Sequence, residues 1–67
     1  MTIDILTKTQ YPSAADRAFV TKLVSDLGLR RASLKLGLSR LATMNAAAGQ
    51  PIYTRTQQAI RTAREAA

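Results

Sequence analysis

Residues 36–49 read LGLSRLATMNAAAG, and the fold turns on which way this segment faces. Gly37 can take a left-handed backbone, which lets a chain reverse sharply, and the Ser39 hydroxyl two positions on caps a new helix. The helix so opened runs from Arg40 to about Ala48, where Gly49 and Pro51 stop it. At about 100° per residue, Ala42, Thr43 and Ala46 share one face and Arg40, Leu41, Met44 and Ala48 share the opposite one. Hydrophobicity alone would bury Leu41 and Met44.

Upstream of the turn, a helix of about two turns, roughly Arg30 to Leu36, puts Leu29, Ala32, Ser33 and Leu36 on one face and leaves Arg30, Arg31, Leu34 and Lys35 outside. Ser33 lies four before Gly37, and a small residue there suits the close crossing of two helices. Leu38, just past the glycine, is the expected apolar plug. Farther back, Tyr11-Pro12 breaks the chain. Ser13 with Asp16 then resembles a capping box, Asp standing for the usual Glu, and opens a first helix that runs to about Leu27. Its residues Phe19, Val20, Leu23, Val24 and Leu27 form one apolar side, Arg17, Thr21, Lys22, Ser25 and Asp26 take the other, and Gly28 ends it. Downstream, GQPIY turns Ile52 back to the core. Thr54 with Gln57 forms a second capping box, starting a last helix with Ile60 and Ala63 inward. Tyr11 and Tyr53, each near a proline, are expected to cover the edge of the core. Thr2 to Thr7 alternates weakly and reads as a short strand or an arm. The expected architecture is all-α: a compact bundle of four short helices over residues 13–67, preceded by an arm over residues 1–12.

Composition bounds what such a bundle can do. Sixty-seven residues make one small domain whose core gives limited stability, and without cysteine no disulfide or thiolate-bound metal supports it. A second copy of the chain or a bound macromolecule is the expected support. The net charge of +6 is also unevenly placed. Up to Asp26, Lys8, Arg17 and Lys22 balance Asp4, Asp16 and Asp26. From Leu27 to Arg64 come Arg30, Arg31, Lys35, Arg40, Arg55, Arg61 and Arg64 with no acid among them. A one-sided field of this kind suits a polyanionic partner, and nucleic acid is the first candidate. Catalysis has little to work with: there is no histidine or cysteine, no glycine-rich lysine loop, and Asp16 and Asp26 lie too far apart in sequence to act as a pair. No enzyme activity, cofactor, metal or small-molecule ligand is expected. The early Asp4, the lack of a basic start and the lack of a long apolar run point to a cytoplasmic protein with no membrane association.

The run RRASLKLGLSRLATMNAAAGQPIYTRTQQAIRTA, with LGLSR at the turn and a G-x-P-I exit, resembles the helix-turn-helix regulators of bacteria and their phages. The resemblance extends from Leu29 to Ala63. It implies that positions six and nine after the glycine, here Thr43 and Ala46, face inward. Thr43 departs from the family pattern, in which Val, Ile or Leu is usual. Leu41 and Met44 then stay exposed and can meet thymine methyls, or else they fill a dimer seam or the core. The resemblance further implies that the second helix of the pair enters the major groove of double-stranded DNA. Ser39, Arg40, Leu41, Met44 and Asn45 become the base-facing set, with Arg40 suited to guanine and Asn45 to adenine or a phosphate. Backbone contacts fall to Arg30, Arg31, Lys35, Thr54, Arg55 and Thr56.

The function implied is a transcriptional regulator, a repressor or autoregulator binding an inverted-repeat operator as a homodimer in a bacterial cell or a phage-infected host. Cro-like repressors, antitoxins and the autoregulators encoded beside anti-CRISPR genes are all of this type. Two alternatives stand beside it. One is a protein-interaction module, antitoxin-like or inhibitory, that uses an exposed Leu34, Leu41 and Met44 surface. The other is a binder of structured RNA.

Overall fold

A computed structural model describes residues 9–67, so the strand or arm expected over Thr2–Thr7 lies outside the described residues. Four helices and two very short strands follow in the order β1 (Thr9–Gln10), α1 (Ala14–Leu27), α2 (Leu29–Leu36), α3 (Arg40–Ala48), β2 (Ile52–Tyr53) and α4 (Thr54–Ala66). The all-α bundle read from the sequence is the fold observed. The sequence had not suggested the β1–β2 pair, an antiparallel ladder with Thr9 opposite Tyr53 and Gln10 opposite Ile52, which ties the residues before α1 to the entry of α4.

Each helix boundary has a local cause. Ser13 Oγ accepts the Asp16 N–H at 3.1 Å, satisfying one of the donors that a helix start leaves open. Gly28, at φ 86°, closes α1 through its N–H to Val24 O and also stands as N-cap of α2, so α2 starts one residue earlier than the expected Arg30. α2 and α3 end alike. Gly37 (φ 72°) donates to Leu34 O and Leu38 to Ser33 O, while Gly49 (φ 78°) donates to Ala46 O and Gln50 to Asn45 O. Each is the paired arrangement of a Schellman motif, which requires the left-handed residue that glycine supplies without a Cβ penalty.

The core is built around α1, which packs against each of the other three helices. Val20, Leu36, Ala46, Ile52 and Ile60 are buried together, with Phe19, Leu23, Val24, Leu38, Ala47 and Ala63 packed against them. Leu27, at the end of α1's apolar side, reaches past this core and is exposed. Tyr11 and Tyr53 are exposed as well, so they do not cover the core edge as expected: Pro12 and Ile52 take the inward positions beside them.

Two polar clusters join the helices across the core. Between α2 and α3, Ser33 Oγ lies 3.0 Å from Thr43 Oγ1, with both side chains buried. Ser33 Oγ is also 2.8 Å from Leu29 O, and Thr43 Oγ1 2.9 Å from Ser39 O. Two hydroxyl protons therefore serve three short contacts, and whichever way the shared proton points, each hydroxyl keeps a partner. Between α1 and α4, the fully buried Asp16 carboxylate accepts from Gln57 Nε2 and, at 2.8 Å, from Arg64 Nε; Arg61 Nη2 stands 3.8 Å away.

This second cluster corrects both capping boxes. Ser13 caps α1, but the Asp16 side chain turns away from the helix start to meet α4, where cationic and amide donors compensate its burial. Thr54 is the first residue of α4 and not its cap. Pairing with β1 holds Tyr53 extended (φ −68°, ψ 153°), so Tyr53 takes the cap position with no side-chain bond, and Gln57 is committed to Asp16.

Candidate nucleic-acid interface

The orientation of α3 decides what this domain offers a partner. Thr43 and Ala46 are 0% exposed, whereas Leu41 is 67% and Met44 51% exposed. The larger apolar side chains thus face away from the core and the small ones face in. Ala46 and Thr43 let α3 approach α1 and α2 closely, and the Thr43 hydroxyl is partnered by Ser33, so the polar residue at an inward position leaves no unsatisfied group.

Both ends of α3 are fixed. At its start, Ser39 Oγ accepts the Ala42 N–H at 3.0 Å. At its end, Arg17 Nε and Thr21 Oγ1 of α1 both approach Ala47 O at 3.4 Å, placing a cation where the helix dipole is negative. The Arg17 guanidinium lies over Gly49, where a Cβ would come within 3.2 Å of it. Nothing in the sequence pattern had pointed to Arg17 or Thr21 as residues that aim α3.

At about 100° per residue, the outer arc of α3 runs from Arg40 through Met44, Ala48 and Leu41 to Asn45. Its two edges border different hollows. On the Asn45 edge, a cleft of about 670 Å³ is lined by Ser39, Leu41 and Asn45 on one side and by Tyr53 and Arg55 on the other, with Thr9 of β1 at its rim. On the Arg40 edge, a smaller hollow of about 370 Å³ is bordered by Arg30 and Arg40, with Ser33, Leu34 and Leu38 completing its lining. Of the base-facing residues expected from the sequence, Arg40, Leu41, Met44 and Asn45 thus lie along one continuous arc with cations on both flanks, while Ser39 caps the helix and lines the cleft beside it. Arg31 and Lys35 are exposed on α2 but border neither hollow.

Thr56 departs from the expected set. It is 5% exposed, because the first turn of α4 rotates it toward the core and leaves the exposed Arg55 and the half-buried Thr54 as the outward residues there. Tyr53, which was not among the expected site residues, joins the cleft instead, brought there by strand pairing that sequence periodicity over two residues cannot signal.

Folding also redistributes the charge. Arg61 and Arg64, part of the acid-free run, pair with Asp16 from the other end of the chain, and Lys22 pairs with Asp26 at 3.3 Å. Among the described residues, Arg30, Arg31, Lys35, Arg40 and Arg55 have no carboxylate partner, and all five are exposed on α2, α3 and the start of α4. Among the described residues, no helix is long and apolar enough to cross a membrane. No family model, curated protein or solved structure matches the chain.

Proposed function

We propose that this protein is a sequence-specific double-stranded DNA-binding transcriptional regulator, with α2 and α3 acting as a helix-turn-helix and α3 entering the major groove. The carrying observation is the outer arc of α3, Arg40 to Asn45, free of acids and with its two large apolar side chains exposed between cationic flanks. A major groove admits a helix and offers thymine methyls to Leu41 and Met44 and base-edge donors and acceptors to Asn45 and Ser39. The phosphates on either side of the groove then meet Arg55 on one flank and the α2 cations on the other. Two copies on an inverted repeat, about one helical turn apart, make the protein a homodimeric repressor or autoregulator of the cytoplasm.

Footprinting on the DNA upstream of its own gene tests this. A protected palindrome is the expected result, and no protection on any duplex at low salt overturns the proposal. The exposed Leu34 (73%), Leu41 and Met44 also favour a second reading, a surface for another protein. Salt separates the two. Arg55 and the three α2 cations, each meeting a phosphate, give log K against log[salt] a slope of about −3.6 per chain, whereas apolar docking to a protein has a shallow dependence.

A further inference from the structure

Arg40 opens the outer arc of α3, yet its surroundings differ from those of the residues beside it. Leu41 and Asn45 border the cleft toward Tyr53 and Arg55, whereas Arg40 borders the opposite hollow with Arg30. Two arginines from successive helices thus line one small hollow, and neither has a carboxylate partner among the described residues. Like charges held around a common hollow repel, and an anion between them relieves that repulsion. Leu34 and Leu38 border the hollow as well, and Leu34 is exposed. An anion-binding rim beside an apolar surface matches a nucleotide backbone unit, phosphate against the two arginines and deoxyribose C–H groups against Leu34. A base edge carries no charge for the second arginine to meet.

We infer that Arg40 and Arg30 together hold one backbone phosphate of the bound duplex, with the adjoining sugar packed on Leu34, so that Arg40 positions α3 and leaves base selection to Leu41, Met44 and Asn45. This rests on the DNA-binding function proposed above.

The test uses the full chain with a pool of randomised duplex DNA, read as the sequences enriched and as the salt dependence of affinity. Arg30 and Arg40 are exposed, so variants at either position keep the fold, which circular dichroism checks. Because one shared phosphate accounts for a slope of about 0.9, the double variant Arg30→Ala/Arg40→Ala should lose about 3.5-fold less affinity than the wild type between 50 and 200 mM salt, and not the ~12-fold expected of two separate phosphates. Arg40→Ala should enrich the same motif as the wild type with uniformly weaker binding, and Arg40→Lys should recover that affinity, because a point charge suffices for a phosphate. Loss of a guanine preference at one motif position in Arg40→Ala, not recovered by Arg40→Lys, overturns the inference and leaves DNA binding intact. So does a double variant that keeps the wild-type slope. If inorganic phosphate at millimolar levels is bound by the wild type and abolished in the double variant while duplex binding is unchanged, the hollow is a free-anion site and the inference also fails. A wild-type chain that binds no duplex at any salt removes both this inference and the proposed function.

Discussion

Replacing Asp16 with alanine tests whether a single buried carboxylate fastens α4 to the bundle. The side chain is fully buried and has three partners of unequal value. The bond from Gln57, itself buried, is charge-assisted and shielded from water, about 1.5–3 kcal/mol. Arg64, with a side chain 36% exposed, adds about 0.5–1 kcal/mol after solvent screening, and the half-exposed Arg61 at 3.8 Å adds little. The sum is about 3 kcal/mol, within the range for breaking a buried ion pair from one side. A chain of this length typically has about 3–10 kcal/mol of stability, so Asp16→Ala should lower the melting temperature by roughly 15 °C or more. A double-mutant cycle tests the mechanism. Gln57 Oε1 is already buried with no partner, and Asp16→Ala strands the amide nitrogen as well. Adding Gln57→Leu to Asp16→Ala should then recover about 1–2 kcal/mol, whereas the same substitution in the wild type destabilises or does nothing, since it removes a bond to Asp16. Urea unfolding followed by circular dichroism measures all four corners. A loss below ~1 kcal/mol for Asp16→Ala, or an identical effect of Gln57→Leu in both backgrounds, refutes the reasoning.

Thr43→Val and Ser33→Ala should each cost under ~1 kcal/mol by urea unfolding, because the surviving hydroxyl retains its own helix carbonyl, and the double variant should cost about as much as either single one. Leu41→Ala and Met44→Ala should shift stability by no more than about 0.5 kcal/mol while weakening binding to enriched duplex, whereas Ile60→Ala should cost about 2–5 kcal/mol in the same unfolding assay. Gly37→Ala meets open space and should cost about 1–2 kcal/mol for its left-handed backbone alone, and Gly49→Ala should cost more in thermal melts because its Cβ also displaces Arg17 from Ala47 O.

What the sequence determined by itself is the course of the helices. Ser13, Gly28, Gly37, Ser39 and Gly49 each act on backbone groups within five residues of themselves, so their effect is written where they stand, and the α3 bounds of Arg40 to Ala48 follow from them. The rotation of α3 was legible only through the resemblance that the turn carries, since the apolar pattern of Leu41 and Met44 points the other way. Everything that depends on residues far apart in the chain was decided by tertiary packing. Asp16 read locally as half of a capping box, but its energy is lower beside Arg64 and Gln57, more than forty residues on, than beside the start of its own helix. Thr54 lost its cap position and Thr56 its exposure because strand pairing with Thr9 and Gln10 fixes where α4 begins. Burial settled the charges likewise: one carboxylate that reads as balanced near the N-terminus draws in two arginines near the C-terminus, Arg61 and Arg64, while Arg30, Arg31, Lys35, Arg40 and Arg55 stay exposed on α2, α3 and the start of α4 without a carboxylate partner among the described residues.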